Sequence, residues 1–451
     1  FGPPDLNVVT PASEAMLLLL VSSLVAVGSS LKHAGSISLR PSDPSSNKTG
    51  DHQAGTYRQR LLNFQNVQYY GEFLLGGQKI EGIFDSGSFE LLVRSTRCEG
   101  CVHPTAPYDR SLSATYEKNG TVSKHVFGSG PCISMKGYED VSVGPLKSNQ
   151  QAFWEIMAHR IQALDTAKFA AIVGIGPNWA YGNRDKTLLM SFGVKEFSIC
   201  LQKPSGSDGF LTWGSLAEPD YKDKHYARAD VIGKHHWVAR MNNVSFGNVG
   251  HEMKNTPCMF AQCAAIIDSG TSLIAAPASA LMQLSTQIAP ILEDCSNLHE
   301  LPSLHFNIDG TDFSLPPEAY VMRITGAVME ADSIWDVLFF KPKIRKVNMC
   351  LPAFMTIEMN SQNGPVWILG MPFFRYYHTT FDRELQAMHF AVAGPECNPQ
   401  PYKVNGTADT KALLAMDAGS LKQPMDVDVR SMVPPTLSEM IDSAAGNMIE
   451  L

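Results

Sequence analysis

The chain has 451 residues, too many for one ordinary hydrophobic core, so two or three domains are expected. Its 44% hydrophobic and 18% charged residues exclude a mostly disordered chain, and its formal net charge of -8 argues against nucleic acid as a partner. Thirty-five Gly and 28 Pro favour a turn-rich β protein over a helical bundle.

Residues 1–14 carry no pattern. From Ala15 to Val27 the chain is apolar (AMLLLLVSSLVAV), too short to span a membrane and right for a signal-peptide core, with small residues at Ala26 and Gly28 for cleavage. A buried helix is the bland alternative. Residues 29–60 are rich in Ser, Gly and basic side chains with no apolar period, and read as a pro-segment or a flexible leader. No later run is long and apolar enough to cross a membrane.

From Leu61 the pattern changes to short strands. Tyr69–Leu75 and Lys79–Phe84 flank Gly76-Gly77, a hairpin signal, and the second strand delivers Asp85-Ser86-Gly87-Ser88. Leu91–Val93 follows. Val122–Phe127 and Ile133–Met135 flank Gly128-Ser129-Gly130-Pro131, a hairpin whose Gly-rich tip can cover a cleft. Phe169–Ile175 is a continuous apolar run before Gly176, as expected of a strand buried on both faces. Phe197–Leu201 and Phe210–Trp213 read as strands and Pro219–Asp223 as a turn. His235–Val249 alternates, and Ala265-Ile266-Ile267 leads into Asp268-Ser269-Gly270-Thr271. Ala276–Leu292 has helical spacing. Leu304–Ile308 and Asp312–Leu315 flank Asp309-Gly310. Val366–Gly370 repeats the theme of an apolar run ending in Gly, and Tyr376–Phe381 with Ala387–Val392 closes a sheet. Residues 394–451 show no sustained period and read as a flexible tail.

One Asp-Ser-Gly-(Ser/Thr) tetrapeptide is a weak signal. Two, each after an apolar strand and each followed by a buried run ending in Gly, read as an internal duplication. The Gly of each gives the freedom for a tight turn, and the flanking hydroxyls can hold the acid by local hydrogen bonds. The two aspartates are expected to meet across an internal interface as one acid–base pair.

Nine cysteines include the close pairs Cys98/Cys101 and Cys258/Cys263, and sequons stand at Asn47, Asn119, Asn243 and Asn405. Together they point to an oxidising secretory compartment. Cys98-Glu99-Gly100-Cys101 could instead be a redox or zinc motif, but no second such pair completes a metal site in the sequence, and no metal is expected.

The stretches GIFDSGSFELLV, IVGIG, CMFAQCAAIIDSGTSLIAAP and WILGMPFFRYYHTTFDR, within residues 61–393, resemble the pepsin-like aspartic endopeptidases. The resemblance implies a mostly β, bilobal fold, with an N-terminal lobe at 61–215 and a C-terminal lobe at 216–393. It implies disulfides Cys98–Cys101, Cys258–Cys263 and Cys295–Cys350, leaving Cys132, Cys200 and Cys397 over, with at least one thiol free or intermolecular. It makes Asp85 and Asp268 the catalytic acids and Ser86 and Ser269 the cross-links beneath them. Gly87, Ser88, Gly270 and Thr271 would meet the substrate, and Phe127, Gly128 and Ser129 would contact it from the flap. The expected partners are polypeptide substrates and pepstatin-type inhibitors. No cofactor is implied, and a secreted or acidic-vacuolar monomer made as a zymogen is expected. An inactive peptide- or protein-binding member of the same scaffold is the alternative.

Three positions depart from the family. Its flap tyrosine falls on Phe127 and the tryptophan that bonds that tyrosine falls on Leu92, so both partners are missing together. Met371 stands where many members carry Asp. Altered flap dynamics and pocket shape are expected, with the dyad chemistry retained.

Overall fold

Short alternating and apolar runs give short strands, and 51% of the described residues are strand in the computed structural model, with a few short helices in the bilobal pepsin-like arrangement. The structure describes residues 56–177, 179, 186–247, 258, 262–330, 343–404, 407–408 and 423–428. The leader, the pro-segment up to residue 55 and the sequons at Asn47 and Asn405 lie outside them.

The N-terminal half supplies β1 (Tyr57–Phe64), β2 (Gln68–Leu75), β3 (Gln78–Asp85), β4 (Leu91–Arg94), β5 (Glu117–Phe127), β6 (Gly130–Val143), β7 (Leu146–His159), β8 (Ala171–Gly174), β9 (Glu196–Leu201) and β10 (Gly209–Trp213). The β2–β3 hairpin turns at Gly76 and Gly77, whose φ of 55° and 75° are the left-handed pair a two-residue hairpin loop requires. The C-terminal half supplies β11 (Ala227–Asp230), β12 (Val238–Gly247), β13 (Cys263–Ile267), β14 (Ile274–Ala276), β15 (Ser303–Ile308), β16 (Thr311–Leu315), β17 (Val321–Glu330), β18 (Lys343–Pro352), β19 (Phe354–Thr356), β20 (Asn360–Ser361), β21 (Gly364–Leu369), β22 (Tyr377–Asp382) and β23 (Ala387–Ala393).

The halves repeat one topology. β3 runs parallel to β8, with Asp85 opposite Gly174, and β8 pairs antiparallel with β4. β13 runs parallel to β21, with Ile267 opposite Leu369, and β21 pairs antiparallel with β14. The glycine that ends each buried run has a steric reason. A Cβ on Gly174 would meet the backbone of Phe89, and one on Gly370 the backbone of Thr271, so each abuts the loop that follows an acid.

A shared sheet bridges the lobes. β22 pairs with β9, Thr379 opposite Ile199; β9 pairs with β10; and β10 pairs with β1, Tyr57 opposite Trp213. β22 and β23 are buried along their whole length, as strands covered on both faces are. Residues 57–60, the end of the stretch read as a pro-segment or leader, pair with β10 in this sheet.

Three expectations change. Pro219–Asp223 is not a turn but the start of the helix Pro219–His225, with Pro in its first turn, where a missing N–H costs nothing. The helix expected over 276–292 spans only Ala278–Ser285. The stretch after residue 393, expected to be wholly flexible, contains packed strands. Pro399–Gln400 pairs with the end of β23, Tyr402 is buried, and Met425–Asp428 lies parallel to β17.

The three implied disulfides are present, and a fourth joins Cys200 to Cys397. This corrects the assignment of Cys200 and Cys397 as left over. Cys132 remains the free thiol among the described residues; it is buried, which excludes an intermolecular bond, and burial pushes its pKa up to about 11. Cys200–Cys397 closes a separation of 197 residues and pins the segment after β23 to β9. On chain-entropy grounds a loop that long is worth about 5 kcal/mol. The paired variant Cys200→Ser/Cys397→Ser is expected to melt on the order of 10 °C lower by calorimetry. An unchanged Tm would show that the bond stabilises nothing.

Candidate active site

Each acid ends a strand and is gripped by its own turn. The Gly87 N–H donates to Asp85 Oδ1 at 2.8 Å and the Ser88 hydroxyl to Asp85 Oδ2 at 2.5 Å. In the second turn the Gly270 N–H donates to Asp268 Oδ1 at 2.7 Å and the Thr271 hydroxyl to Asp268 Oδ2 at 2.7 Å. The same two bonds, from the same relative positions, fix both carboxylates.

The turns are cross-braced. The Ser269 N–H donates to Ser86 Oγ at 2.9 Å and the Ser86 N–H to Ser269 Oγ at 3.1 Å. The Ser86 hydroxyl then donates to the Ile267 carbonyl at 2.9 Å and the Ser269 hydroxyl to the Phe84 carbonyl at 2.6 Å. Each serine thus reaches into the strand that carries the other acid. The glycines meet the opposite acids: a Cβ on Gly87 would stand 2.5 Å from Asp268 Cγ, and one on Gly270 would collide with Asp85. No other residue leaves the two loops room to approach.

Asp85 and Asp268 are each 8% exposed. Burial first, then the negative charge of Asp268, pushes the Asp85 carboxyl well above the usual carboxylate range; the bonds from Ser88 and Gly87 oppose that rise. A buried carboxyl beside a second carboxylate resists ionisation while its neighbour is charged.

The flap expectation lands on a hairpin. β5 and β6 pair from Glu117 to Tyr138, Phe127 faces Gly130, and Gly128 and Ser129 form the tip. Phe127 packs against the apolar cluster that contains Leu92, Trp154 and Ile172. The tyrosine–tryptophan hydrogen bond missing from the sequence is thus replaced at those positions by apolar contact, and neither Phe127 nor Leu92 has a side-chain polar atom to strand. Met371 is buried, and its N–H donates to the Thr271 carbonyl at 2.9 Å, so the acid expected there in many members is replaced by core packing.

Sequence reasoning missed His236. Its Nδ1–H donates to the Gly87 carbonyl at 2.7 Å, reaching from the C-terminal half to the loop of the first acid. The neighbouring Trp237 indole donates to the Ile175 carbonyl at 3.1 Å. The run His235-His236-Trp237 after a Gly was the available signal. Beside Cys98 and Cys101 the structure brings His159, with ligand atoms within 4.8 Å, but the two sulfurs are bonded to each other and leave one imidazole. Both described sequons, Asn119 and Asn243, are exposed. No helix among the described residues is long and apolar enough to cross a membrane.

A model of the family described as eukaryotic aspartyl protease matches residues 68–393. Cathepsin D of Dictyostelium discoideum is 30% identical over 356 residues, covering 74% of this chain and 85% of that protein. Cathepsin D of Rattus norvegicus is 29% identical over 74% of this chain and 82% of its own, and renin-2 of Mus musculus 28% identical over 74% and 81%. The match takes in both acid turns, the flap hairpin and most of the interlobe sheet, and the chain belongs to the eukaryotic aspartyl protease family of peptide hydrolases.

Proposed function

We propose that the chain is an endopeptidase that cleaves extended polypeptides with a water activated between Asp85 and Asp268. The observation that carries this is the symmetric grip on two buried carboxylates, each facing the glycine of the other loop. With one proton between them, the charged acid takes a proton from the water as it attacks the scissile carbonyl. The neutral acid donates to the carbonyl oxygen. The product of that step is a tetrahedral gem-diol, with no covalent enzyme intermediate. Collapse of the gem-diol returns a proton to the pair and passes one to the leaving amine. Ser86 and Ser269 hold the two loops in register; Gly87, Ser88, Gly270 and Thr271 line the floor. Phe127, Gly128 and Ser129 cover the bound chain from the flap, and strand-like main-chain bonds hold it in the cleft.

The same reading takes the protein as a secretory zymogen acting as a monomer in an acidic or extracellular compartment. The segment removed on activation lies within residues 29–60, the last four of which pair with β10. Purified protein incubated with a denatured protein substrate between about pH 3 and pH 7 is expected to cleave it, and a pepstatin-type inhibitor to stop the cleavage. Inhibitor binding without cleavage at any pH would instead mark a binding protein on this scaffold.

A further inference from the structure

The family's flap tether is absent at Phe127 and Leu92, yet the flap hairpin is not without a polar anchor. Glu90 lies five positions after Asp85, on the loop that follows the acid turn. Its Oε1 accepts the Trp154 indole N–H at 2.9 Å, and its Oε2 lies 3.1 Å from Nδ1 of His125. His125 stands on β5, two residues before Phe127 and on the same side of the strand, opposite Cys132. Its ring meets Trp154 edge-on at 4.8 Å, and its Nε2 is buried without a hydrogen-bond partner, so Glu90 is its polar anchor. Trp154 is in register with Leu92 on the adjacent strand. The indole therefore stands one strand away from where the family places it and bonds a carboxylate. The Lys136 ammonium lies 5.5 Å from the Trp154 ring and helps hold it.

We propose that Glu90 is a positioning residue for the reaction. Together with His125 and Trp154 it latches the flap hairpin to the loop of Asp85, and so sets how the flap closes on a bound peptide. This rests on the endopeptidase reading. The geometry has three features that simple packing would not need. A carboxylate takes one donor from the flap and one from the scaffold. A histidine is placed three residues from the flap tip with one nitrogen committed to that carboxylate. The connection runs to the same loop that carries the acid. Pre-organising the flap lowers the ordering cost of binding, so its loss falls on KM first.

The test compares wild type with Glu90→Gln, His125→Gln and the double variant. Glu90→Gln keeps an acceptor for Trp154 and replaces the carboxylate oxygen that faces His125 with an uncharged NH2 donor. Two readouts are taken: hydrogen–deuterium exchange of the flap amides at residues 122–130, and kcat and KM on a peptide substrate. Expected are faster flap exchange in both single variants, KM raised by roughly tenfold with kcat within about twofold, and a double variant no worse than either single one. Unchanged flap exchange overturns the proposal, as does faster exchange with KM unaltered. A wild type that cleaves no peptide counts against the endopeptidase reading instead, and the exchange comparison then decides the latch alone.

Discussion

Replacing Asp268 with Asn is expected to remove peptide hydrolysis while leaving the fold intact. The amide oxygen can still accept the Gly270 N–H, and the amide NH2 that takes the place of Oδ2 can donate to the Thr271 hydroxyl, so both contacts that orient residue 268 persist and the turn keeps its shape. The cross-brace between Ser86 and Ser269 uses backbone and hydroxyl groups and is untouched. What goes is the shared charge. An amide neither accepts the proton of the attacking water nor returns one to the leaving amine. Positioned acid–base catalysis contributes about 10²–10⁴ in rate, so kcat should fall by at least that factor. Asp85→Asn should do the same, and the two losses should not multiply, because the acids act as one unit. An amide beside the remaining carboxylate carries the same net charge as the singly protonated pair, so neither variant should melt lower than wild type. Single-turnover cleavage with calorimetry measures both. A variant within tenfold of wild-type kcat would remove Asp85 and Asp268 from the chemistry.

What the amino-acid order made visible was local. An apolar run, an acid, a glycine and a hydroxyl are consecutive residues, and they specify a strand, its end and the grip on a carboxylate without reference to distant parts. Doubling that signature made the pairing of Asp85 with Asp268 legible, because a repeated topology brings equivalent points together. The features that stayed hidden depend on strands that meet late. Cys200 finds Cys397 because β9 pairs with β22, which carries β23 and the chain after it alongside. Met425–Asp428 is too short to show a period, and becomes a strand only by pairing with β17 and burying Met425 and Val427. Trp154 looks like one more apolar residue until β7 sets it beside Leu92. The Pro219 segment shows the opposite failure: its Pro and Asp residues suit a turn and a helix start equally, and burial of Lys222 against Glu196 favours the helix.

The fold should lose stability in acid through two histidines that the dyad does not use. His378 on β22 and His389 on β23 are buried in the interlobe sheet, 3% and 1% exposed. Burial, reinforced by Arg58, lowers His378 to about 4. Burial also lowers His389 to about 4; Lys222 and Arg228 add to the fall, while Asp382 and Asp223 oppose it. In the unfolded chain each titrates near 6.5. Between about pH 6.5 and pH 4 the unfolded state therefore binds protons that the native state refuses, and stability falls as pH falls. Each shift converts to about 3 kcal/mol, present above pH 6.5 and gone below about pH 4. Neither ring nitrogen of His389 has a hydrogen-bond partner, so His389→Phe removes the proton-binding group without stranding a donor. Denaturant unfolding at pH 4.5 and pH 7 should show a large stability difference in wild type and one smaller by roughly 2–3 kcal/mol in the variant. Equal differences would mean that His389 is charged in the native state. These two histidines withdraw stability as pH falls, so the lower edge of the activity profile should follow unfolding of the interlobe sheet.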